Sequence, residues 1–214
     1  MPNTFIVAMT AETGTKRIQG QTHMAHSADD QIGLIRQACS DPDAFARLYL
    51  EHYDAVFHYC VRRLFDRHIA EDVTSTIFFK VMHHLNSFDG TEITFKHWLF
   101  RIATNAVNDT LRHAKRRQDI NLRIRRNIQA ESALTLPHDP DLLERKALLQ
   151  QAILRLKPRY QAVITLHYFE NMKLIEIAAC LDKKPSTVRN WLSRATKKLR
   201  QELSAAMNDG GSSA

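Results

Sequence analysis

Residues 173–199 read KLIEIAACLDKKPSTVRNWLSRATKKL and predict two helices joined by a tight turn. The first helix is largely apolar, and Asp182-Lys183-Lys184 forms the turn. Pro185 suits the first turn of the second helix, where its missing N–H has no partner, and the following Ser and Thr can cap free N–H groups. The inward positions of the second helix, at helical spacing, are Val188, Leu192 and Ala195. This stretch therefore predicts a helix-turn-helix unit.

The outer faces of the second helix carry polar and basic side chains. Arg and Asn can form bidentate hydrogen bonds with guanine and adenine edges in the major groove, while Lys suits phosphates. The predicted DNA-reading residues are Ser186, Thr187, Arg189, Asn190, Ser193, Arg194 and Lys197. Because helix-turn-helix patterns alone also give false positives, the interpretation needs support from the rest of the chain.

The distribution of charge supports nucleic-acid binding. The 214 residues include 30 Lys and Arg against 23 Asp and Glu, a formal net charge of +7. Residues 110–126 and residues 182–200 each hold seven basic residues against one acidic residue, or +6, so the remaining chain carries −5. One such run is often only a solvated helix face, but two clusters, each near the end of a helical block, favour a DNA-binding protein.

Helical spacing of apolar residues recurs along the chain and predicts an all-α fold of two small helical domains. With 44% apolar residues the chain can bury real cores, and 6 glycines are too few for repeated Gly-rich phosphate loops. The predicted organisation is a loose N-terminal leader over 1–27, a first helical domain over 28–117, a flexible or only partly helical linker over 118–141, a second helical domain over 142–207 and a disordered tail over 208–214.

Several classes of protein are disfavoured. Three widely spaced cysteines fit neither a disulfide framework nor a paired zinc ribbon and favour a reducing compartment. No apolar run approaches the roughly 20 residues that span a bilayer, and the first residues lack the basic start of a secretory signal, although Met24 is an alternative start. Without metal-ligand spacing, clustered carboxylates or a nucleophile–base pair, we expect no metal, no cofactor and no enzymatic activity such as that of a nuclease.

Two blocks of the sequence together resemble one known family. From Leu156-Lys-Pro-Arg-Tyr to Leu199, the second block is similar to region four of extracytoplasmic-function (ECF) sigma factors. The first block is similar to region two of that family. The matching stretches are Asp43-Ala-Phe to Tyr49, Ala70-Glu-Asp-Val to Phe78, and Phe95-Lys-His-Trp-Leu-Phe-Arg-Ile-Ala-Thr-Asn105. The pattern also includes Asp109 and Arg112. The resemblance covers about residues 28–117 and 142–203, and two matched blocks are more specific than one helix-turn-helix.

The resemblance implies a transcription initiation factor that binds core RNA polymerase and directs it to promoter DNA. Region four would read the −35 element as duplex, while region two would melt the −10 element and hold a flipped base, whose extrusion costs a few kcal/mol. It also implies a cytoplasmic, nucleoid-associated protein with an anti-sigma factor as partner and no membrane insertion of its own. The implied −10 residues are Asn86, Phe88, Lys96, Arg101, Asn105, Asn108 and Arg112, and the implied polymerase contacts are Asp72, Ser75, Thr76 and Phe79.

Departures from the family pattern leave alternatives open. Ser75-Thr76 replaces the usual Gln and acidic residue, so the alternative is a helix-turn-helix regulator, a degenerate sigma paralogue, that does not activate polymerase. Asp182-Lys183 replaces the usual Gly and apolar residue of the turn, and Trp191 either packs or touches the DNA backbone. The spacing of Trp98 favours the core over a melting role. The polar residues from Lys96 to Arg112 recur at helical spacing, so we expect them to share one exposed face.

Overall fold

The computed structural model describes residues 28–89, 95–116 and 140–210, which are helical apart from short connections and contain no strand. The first block consists of α1 (Ala28–Ala38), α2 (Pro42–Leu64), α3 (Arg67–His84), a 3-10 turn (Leu85–Ser87) and α4 (Phe95–Arg116). The second block consists of α5 (Pro140–Arg155), α6 (Pro158–Ile164), a π-helical segment (Thr165–Phe169), α7 (Leu174–Leu181) and α8 (Pro185–Gly210). The all-α prediction is confirmed.

Three predicted segments fall largely outside the described residues: the leader, most of the linker and the end of the tail. At the boundaries that can be compared, α5 begins at Pro140, within the stretch predicted as linker. Helix α8 continues to Gly210, into the predicted tail, since no proline or glycine interrupts the sequence before that point.

The starts of α2 and α3 follow from local sequence. Asp41-Pro42 opens α2, where the Asp41 carboxylate accepts a hydrogen bond from the N–H of Asp43 at 3.0 Å. Helix α3 begins at Arg67. The reason is an N-cap at Asp66, whose carboxylate accepts a hydrogen bond from the third backbone N–H of the helix at 2.9 Å.

Helices α2, α3 and α4 bury the apolar stripes that their sequences predict. Fully buried side chains from these helices include Leu48, Val56, Tyr59, Cys60, Ile77, Val81, Leu99 and Ala103. Each large aliphatic or aromatic side chain buried in this way contributes roughly 1.5–3 kcal/mol of transfer free energy. The packed three-helix layer fixes the outward face of α3 and the orientation of α4.

The predicted helix-turn-helix is present as α7, a turn and α8. Asp182 takes the left-handed conformation (φ 51°) in the turn, so it occupies the position where the family usually has Gly. The N–H of Lys183 donates to the carbonyl of Ala178 at 2.9 Å and closes the end of α7. Asn171, just after the π-helical segment, also has a left-handed backbone conformation, with φ 53°. The inward side chains of α8 that are buried are Val188, Ala195 and Leu199.

The two blocks pack directly against each other. Helix α7 lies between α4 and α8, and apolar side chains of both blocks form one continuous cluster. The Cys180 thiol on α7 donates to the carbonyl of His97 on α4 at 3.3 Å. This arrangement brings the predicted −35 and −10 surfaces onto neighbouring elements, an outcome that the separate sequence patterns of the two blocks do not contain.

Candidate nucleic-acid interface

The outer face of α8 presents the predicted −35 residues to solvent. Six of these seven side chains are exposed: Ser186, Arg189, Asn190, Ser193, Arg194 and Lys197. Thr187 is partly buried near the start of the helix. Lys183 and Lys184, in the turn before α8, are exposed as well. Because the opposite side of α8 is anchored in the core, the helix offers one continuous polar and cationic face of the kind that enters a major groove.

Trp191 packs on the protein along part of its ring, as one of its two alternatives expects. It is partly buried, and the guanidinium of Arg159 on α6 lies over its ring at 5.7 Å and over that of Tyr160 at 5.0 Å. Hydrogen bonding to Arg159 and then to Arg194 lowers the pKa of the Tyr160 hydroxyl. Arg159 is an exposed cation beside α8 that the sequence analysis missed, because it lies outside both basic clusters.

The predicted −10 residues on α4 divide into two groups. Three of them are exposed: Lys96, Asn105 and Arg112, the last paired with Asp109 at 3.3 Å. Arg101 and Asn108 are partly buried and engaged. Arg101 Nη2 donates to the carbonyl of Ala179 in the second block at 2.8 Å, and Asn108 Oδ1 accepts from Arg63 at 2.9 Å. The expectation of one exposed face therefore fails for Arg101 and Asn108, because neighbouring elements cover that part of α4.

An aromatic surface joins the loop before α4 to the start of that helix. Phe88 is partly buried, with its ring centroid 5.4 Å from that of Trp98 and 5.8 Å from that of buried Phe95. Trp98 is itself only partly buried, so its predicted core role holds for one side of the indole. Asn86 is exposed in the 3-10 turn, and residues 90–94 lie outside the described part. Partly exposed aromatic rings offer a surface on which bases can stack.

The outer face of α3 carries the predicted polymerase contacts. All four are exposed: Asp72, Ser75, Thr76 and Phe79. The Phe79 ring is 59% exposed and contacts the His83 ring in a tilted arrangement, with 4.2 Å between centroids. Met82, which the sequence analysis missed, is 49% exposed on the same helix. The sequence did contain an indication that Met82 is exposed, because it is a large apolar residue on a helix whose other apolar positions already form a complete inward stripe. Exposed apolar side chains of this size on a stable helix are typical of an interaction site.

Arg63 is a fully buried cation that the sequence analysis also missed. Its guanidinium donates to the Tyr59 hydroxyl at 2.7 Å, to Asn108 at 2.9 Å and to the carbonyl of Pro158 at 3.3 Å. Arg63 lies four residues after Tyr59, on the apolar stripe of α2, and this position in the sequence indicates that its side chain is buried. Arg63 thus ties α4 to the first residue of α6 and fixes the side chain of one predicted −10 residue.

The buried thiols are unsuited to nucleophilic or metal chemistry. Burial raises the pKa of Cys60 to about 11 and that of Cys180 to about 12, so both remain protonated at neutral pH. Within residues 28–89, 95–116 and 140–210, no group of three or more His, Cys, Asp or Glu side chains is arranged to hold a metal ion. None of the described helices is both long and apolar enough to cross a membrane.

Known structures share this architecture. CnrH, solved in complex with the cytosolic domain of CnrY, aligns with a TM-score of 0.60 and 25% identity over 84% of this chain and 99% of that chain. The sigma factor RpoE from Bartonella quintana, solved with the anti-sigma factor NepR, aligns with a TM-score of 0.55 and 20% identity over 75% of this chain and 96% of that chain. The second likeness concerns the fold alone.

Sequence comparison gives the same result for both blocks. Residues 48–117 match the family model for Sigma-70 region 2, and residues 146–199 match that for Sigma-70 region 4. The ECF RNA polymerase sigma factor SigW of Bacillus subtilis is 33% identical over 76% of this chain and 90% of its own length. BldN of Streptomyces coelicolor, another ECF sigma factor, is 27% identical over 92% of this chain and 76% of its own length. The chain belongs to the ECF family of RNA polymerase sigma factors.

Proposed function

We propose that this initiation factor contacts promoter DNA through two surfaces, the outer face of α8 for the −35 element and the α4 face with the Phe88–Trp98 aromatic surface for the −10 element. As an ECF sigma factor, the chain directs core RNA polymerase to promoters. The observation that carries the assignment of surfaces is that six of the seven predicted residues on α8 are exposed over a buried inner face.

On the α8 surface, Arg189 and Asn190 are the residues proposed to read bases. Both are exposed in the first turns of the helix, the part of a recognition helix that reaches base edges. A bidentate contact from such a side chain discriminates between bases by about 1–3 kcal/mol. Lys197 and the turn lysines are proposed to contact phosphates, which orient the protein but carry no sequence information.

On the α4 surface, Phe88 and Trp98 are proposed to stack a base of the melted −10 element. Stacking of a base on an aromatic side chain contributes about 1–3 kcal/mol, which is comparable to the few kcal/mol that extrusion of a base requires. Exposed Lys96, Asn105 and Arg112 would supply phosphate contacts and hydrogen bonds along the same helix. Base stacking together with these phosphate contacts and hydrogen bonds makes a stable melted −10 element feasible without any catalytic group on this chain.

The α3 face is proposed to bind core polymerase through Phe79, with Met82 and Asp72 beside it. Its exposed apolar area would be covered in that complex, which explains why large side chains face solvent here. We further propose that the chain has no enzymatic activity of its own and acts in the cytoplasm on the nucleoid. The solved complex of CnrH with the cytosolic domain of CnrY supports an anti-sigma protein as a partner of this chain.

Ser75 and Thr76 are the specific observation behind a second candidate, a DNA-binding regulator that does not activate polymerase. Their hydroxyls donate to the carbonyls of Glu71 and Asp72 at 3.1 and 3.0 Å, so they satisfy their hydrogen bonds within α3. They therefore offer polymerase less than the Gln and acidic residue usual in the family. We favour activation, because the apolar part of the α3 face does not depend on these two residues.

In vitro transcription separates the candidates. Purified core polymerase is combined with the full chain and a library of promoter fragments, and transcript start sites are mapped. The initiation function predicts start sites that depend on the chain and share upstream sequences. DNA binding without transcripts supports the regulator, and cleavage that depends on divalent metal supports the enzyme that the sequence disfavours.

A pair of variants tests the polymerase surface. Phe79→Asp places a charge on the proposed contact, and we expect at least a tenfold loss of transcription at limiting core polymerase, corresponding to about 1.4 kcal/mol or more of binding free energy. Leu50→Asp is the matched control, because Leu50 is 74% exposed on α2 and lies outside the proposed surfaces. An equal loss in both variants would reject the assignment of the α3 face.

A further inference from the structure

We propose that a cleft between α4 and the turn of the helix-turn-helix binds a small phosphate ester of nucleotide size, whose phosphates lie against Arg101, Lys183 and Lys184. The ligand is a soluble molecule that binds the chain without DNA or polymerase. Its expected effect on DNA binding rests on the proposed function, because Lys183 and Lys184 are also the turn lysines assigned to DNA phosphates.

The cleft has the size of a small-molecule site. Its volume is about 470 Å³, within the roughly 300–1,000 Å³ that such sites occupy. The lining residues that bear on the ligand are Arg101 on α4, Ile175 and Ala178 on α7, and Asp182, Lys183 and Lys184 in the turn. A duplex is too wide to enter a space of this size, so a ligand that reaches the partly buried Arg101 is a small molecule.

The lining carries an excess of positive charge. It holds three cations, Arg101, Lys183 and Lys184, against the carboxylate of Asp182, a formal net charge of +2. A concave surface with one predominant sign of charge concentrates its field and attracts a ligand of the opposite charge. These charges favour an anion with several negative charges, such as a diphosphate or triphosphate.

Arg101 has hydrogen-bonding capacity that the described protein groups leave unused. Its Nη2 donates to the carbonyl of Ala179 at 2.8 Å, which anchors the guanidinium on the wall of the cleft. Its Nε is buried and has no hydrogen-bond partner among the described residues. An unmatched donor on a partly buried cation costs free energy, and an anion beside the guanidinium offsets that cost. The planar guanidinium also matches the geometry of phosphate oxygens.

The turn fixes the backbone that carries the two lysines. The N–H of Lys183 donates to the carbonyl of Ala178 at 2.9 Å, and the Lys183 ammonium donates to the carbonyl of Asp182, also at 2.9 Å. The N–H of Thr187 donates to the carbonyl of Lys184 at 2.9 Å at the start of α8. A site whose backbone is already ordered loses less entropy when it binds a ligand.

One side of the cleft is apolar. Ile175 is 67% exposed, and Ala178 follows three residues later on the same helix. Small-molecule sites combine apolar walls with a few polar groups that fix orientation. A nucleotide fits both parts, because its base can lie on Ile175 while its phosphates face the cations. Inorganic phosphate and pyrophosphate supply only the charge, so the lining favours a nucleotide over a simple oxyanion.

A bound nucleotide competes with DNA for the turn lysines. Each phosphate that a protein neutralises adds to its affinity for DNA through release of counterions. While Lys183 and Lys184 hold the phosphates of a nucleotide, they are lost to the duplex. We therefore expect saturating nucleotide to weaken binding of the chain to duplex DNA in mobility shifts at low salt.

Calorimetric titration of the full chain, without DNA or polymerase, tests the site. ATP, GTP, CTP and UTP are titrated separately, with pyrophosphate as the comparison. We expect at least one of the four nucleotides to saturate a single site per chain and to bind more tightly than pyrophosphate. Ile175→Ser should weaken binding of that nucleotide and leave pyrophosphate unchanged, because only the base contacts this side chain.

Variants that remove charge locate the site. Arg101→Gln, and the double variant Lys183→Gln with Lys184→Gln, should each weaken the nucleotide at least about tenfold, because charge-assisted hydrogen bonds are lost. Lys198→Gln is the matched control, since it removes the same charge at an exposed position of α8 outside the cleft. Circular dichroism checks the fold of each variant. Because both turn lysines are exposed, the double variant tests the site even if Arg101→Gln disturbs packing.

Three results would overturn the inference. They are the absence of saturable binding by all four nucleotides, binding that the lysine double variant leaves unchanged, and an equal loss in Lys198→Gln, which would show only general attraction to a basic protein. Failure of the proposed function has a different signature, because the chain then gives no promoter-specific transcripts with core polymerase while nucleotide binding to the free chain persists.

Discussion

The α8 and α4 surfaces received the same kind of sequence prediction and fared differently in the structure. On α8 the predicted residues stand on the outer side of a helix whose inner side is buried in its own block, and six of seven are exposed. On α4 the predicted residues also recur at helical spacing, yet Arg101 and Asn108 are engaged by α7 and by Arg63. A helical pattern locates a face, but a neighbouring element decides whether the face is free.

The difference has a functional meaning. The surface proposed for duplex DNA is exposed in this structure, whereas part of the surface proposed for melted DNA is covered by the second block. The four predictions below test this contrast, from the largest expected effect to the smallest.

Arg63→Ala should destabilise the first block and release Asn108. The change removes hydrogen bonds to Tyr59, Asn108 and Pro158 and leaves a void in the core. With about 1.5–3 kcal/mol for each charge-assisted hydrogen bond, we expect the free energy of unfolding to fall by about 3 kcal/mol or more, measured by urea denaturation. Arg67→Ala, at an exposed site on α3, should change it by about 0.5 kcal/mol or less. Equal effects would contradict the role of Arg63.

Arg189→Ala tests the free surface on α8. If Arg189 reads a base, binding to duplex carrying the mapped −35 element should weaken by about 1–3 kcal/mol, with much less change on random duplex. Lys197→Ala is the comparison, since loss of a phosphate contact should weaken both duplexes alike and reduce the salt dependence. Electrophoretic mobility shifts at two salt concentrations measure both effects. An equal loss on specific and random DNA for Arg189→Ala would reject base reading.

Asp182→Gly tests the turn that presents α8. A non-glycine residue at φ 51° carries a strain of about 1–2 kcal/mol, while glycine loses about 0.4–1 kcal/mol through the entropy of the unfolded chain. We therefore expect a net stabilisation of about 0.5 kcal/mol by thermal unfolding. Asp182→Val, β-branched at the same position, should destabilise instead. Destabilisation by glycine would show that the Asp182 side chain stabilises the turn by more free energy than its left-handed backbone conformation costs.

The pH dependence of stability tests the packing around α4. Burial lowers the pKa of His52, whose ring lies 5.1 Å from that of Phe95, and burial also lowers the pKa of His97. The folded state then binds fewer protons than the unfolded state, so stability is retained above the ordinary pKa of 6.5 and falls as pH drops below it. His52→Gln should reduce this loss between pH 7.5 and pH 5.5 in urea unfolding. An unchanged pH profile would exclude His52 as its source.

The sequence predicted the features that depend on neighbours along the chain. The turn of the helix-turn-helix formed at Asp182, and the buried positions of α8 followed its 3.6-residue period. The contacts on α3 were implied by the resemblance, and Phe79 is exposed on that helix. Met82 was missed because it lies beyond the Ala70 to Phe78 stretch that resembles the family, and Arg159 was missed because it lies outside both basic clusters.

The sequence by itself determined the helices and the helix-turn-helix, because these depend on periodicity, caps and turns within about twenty residues of each other, and the resemblance of its two blocks to known regions indicated the family. Only the tertiary structure decided that α7 packs on α4, that Arg63 is buried and that Arg101 is bound to Ala179. These contacts join residues far apart in sequence through packing and desolvation, and no local pattern encodes which of two exposed faces will meet.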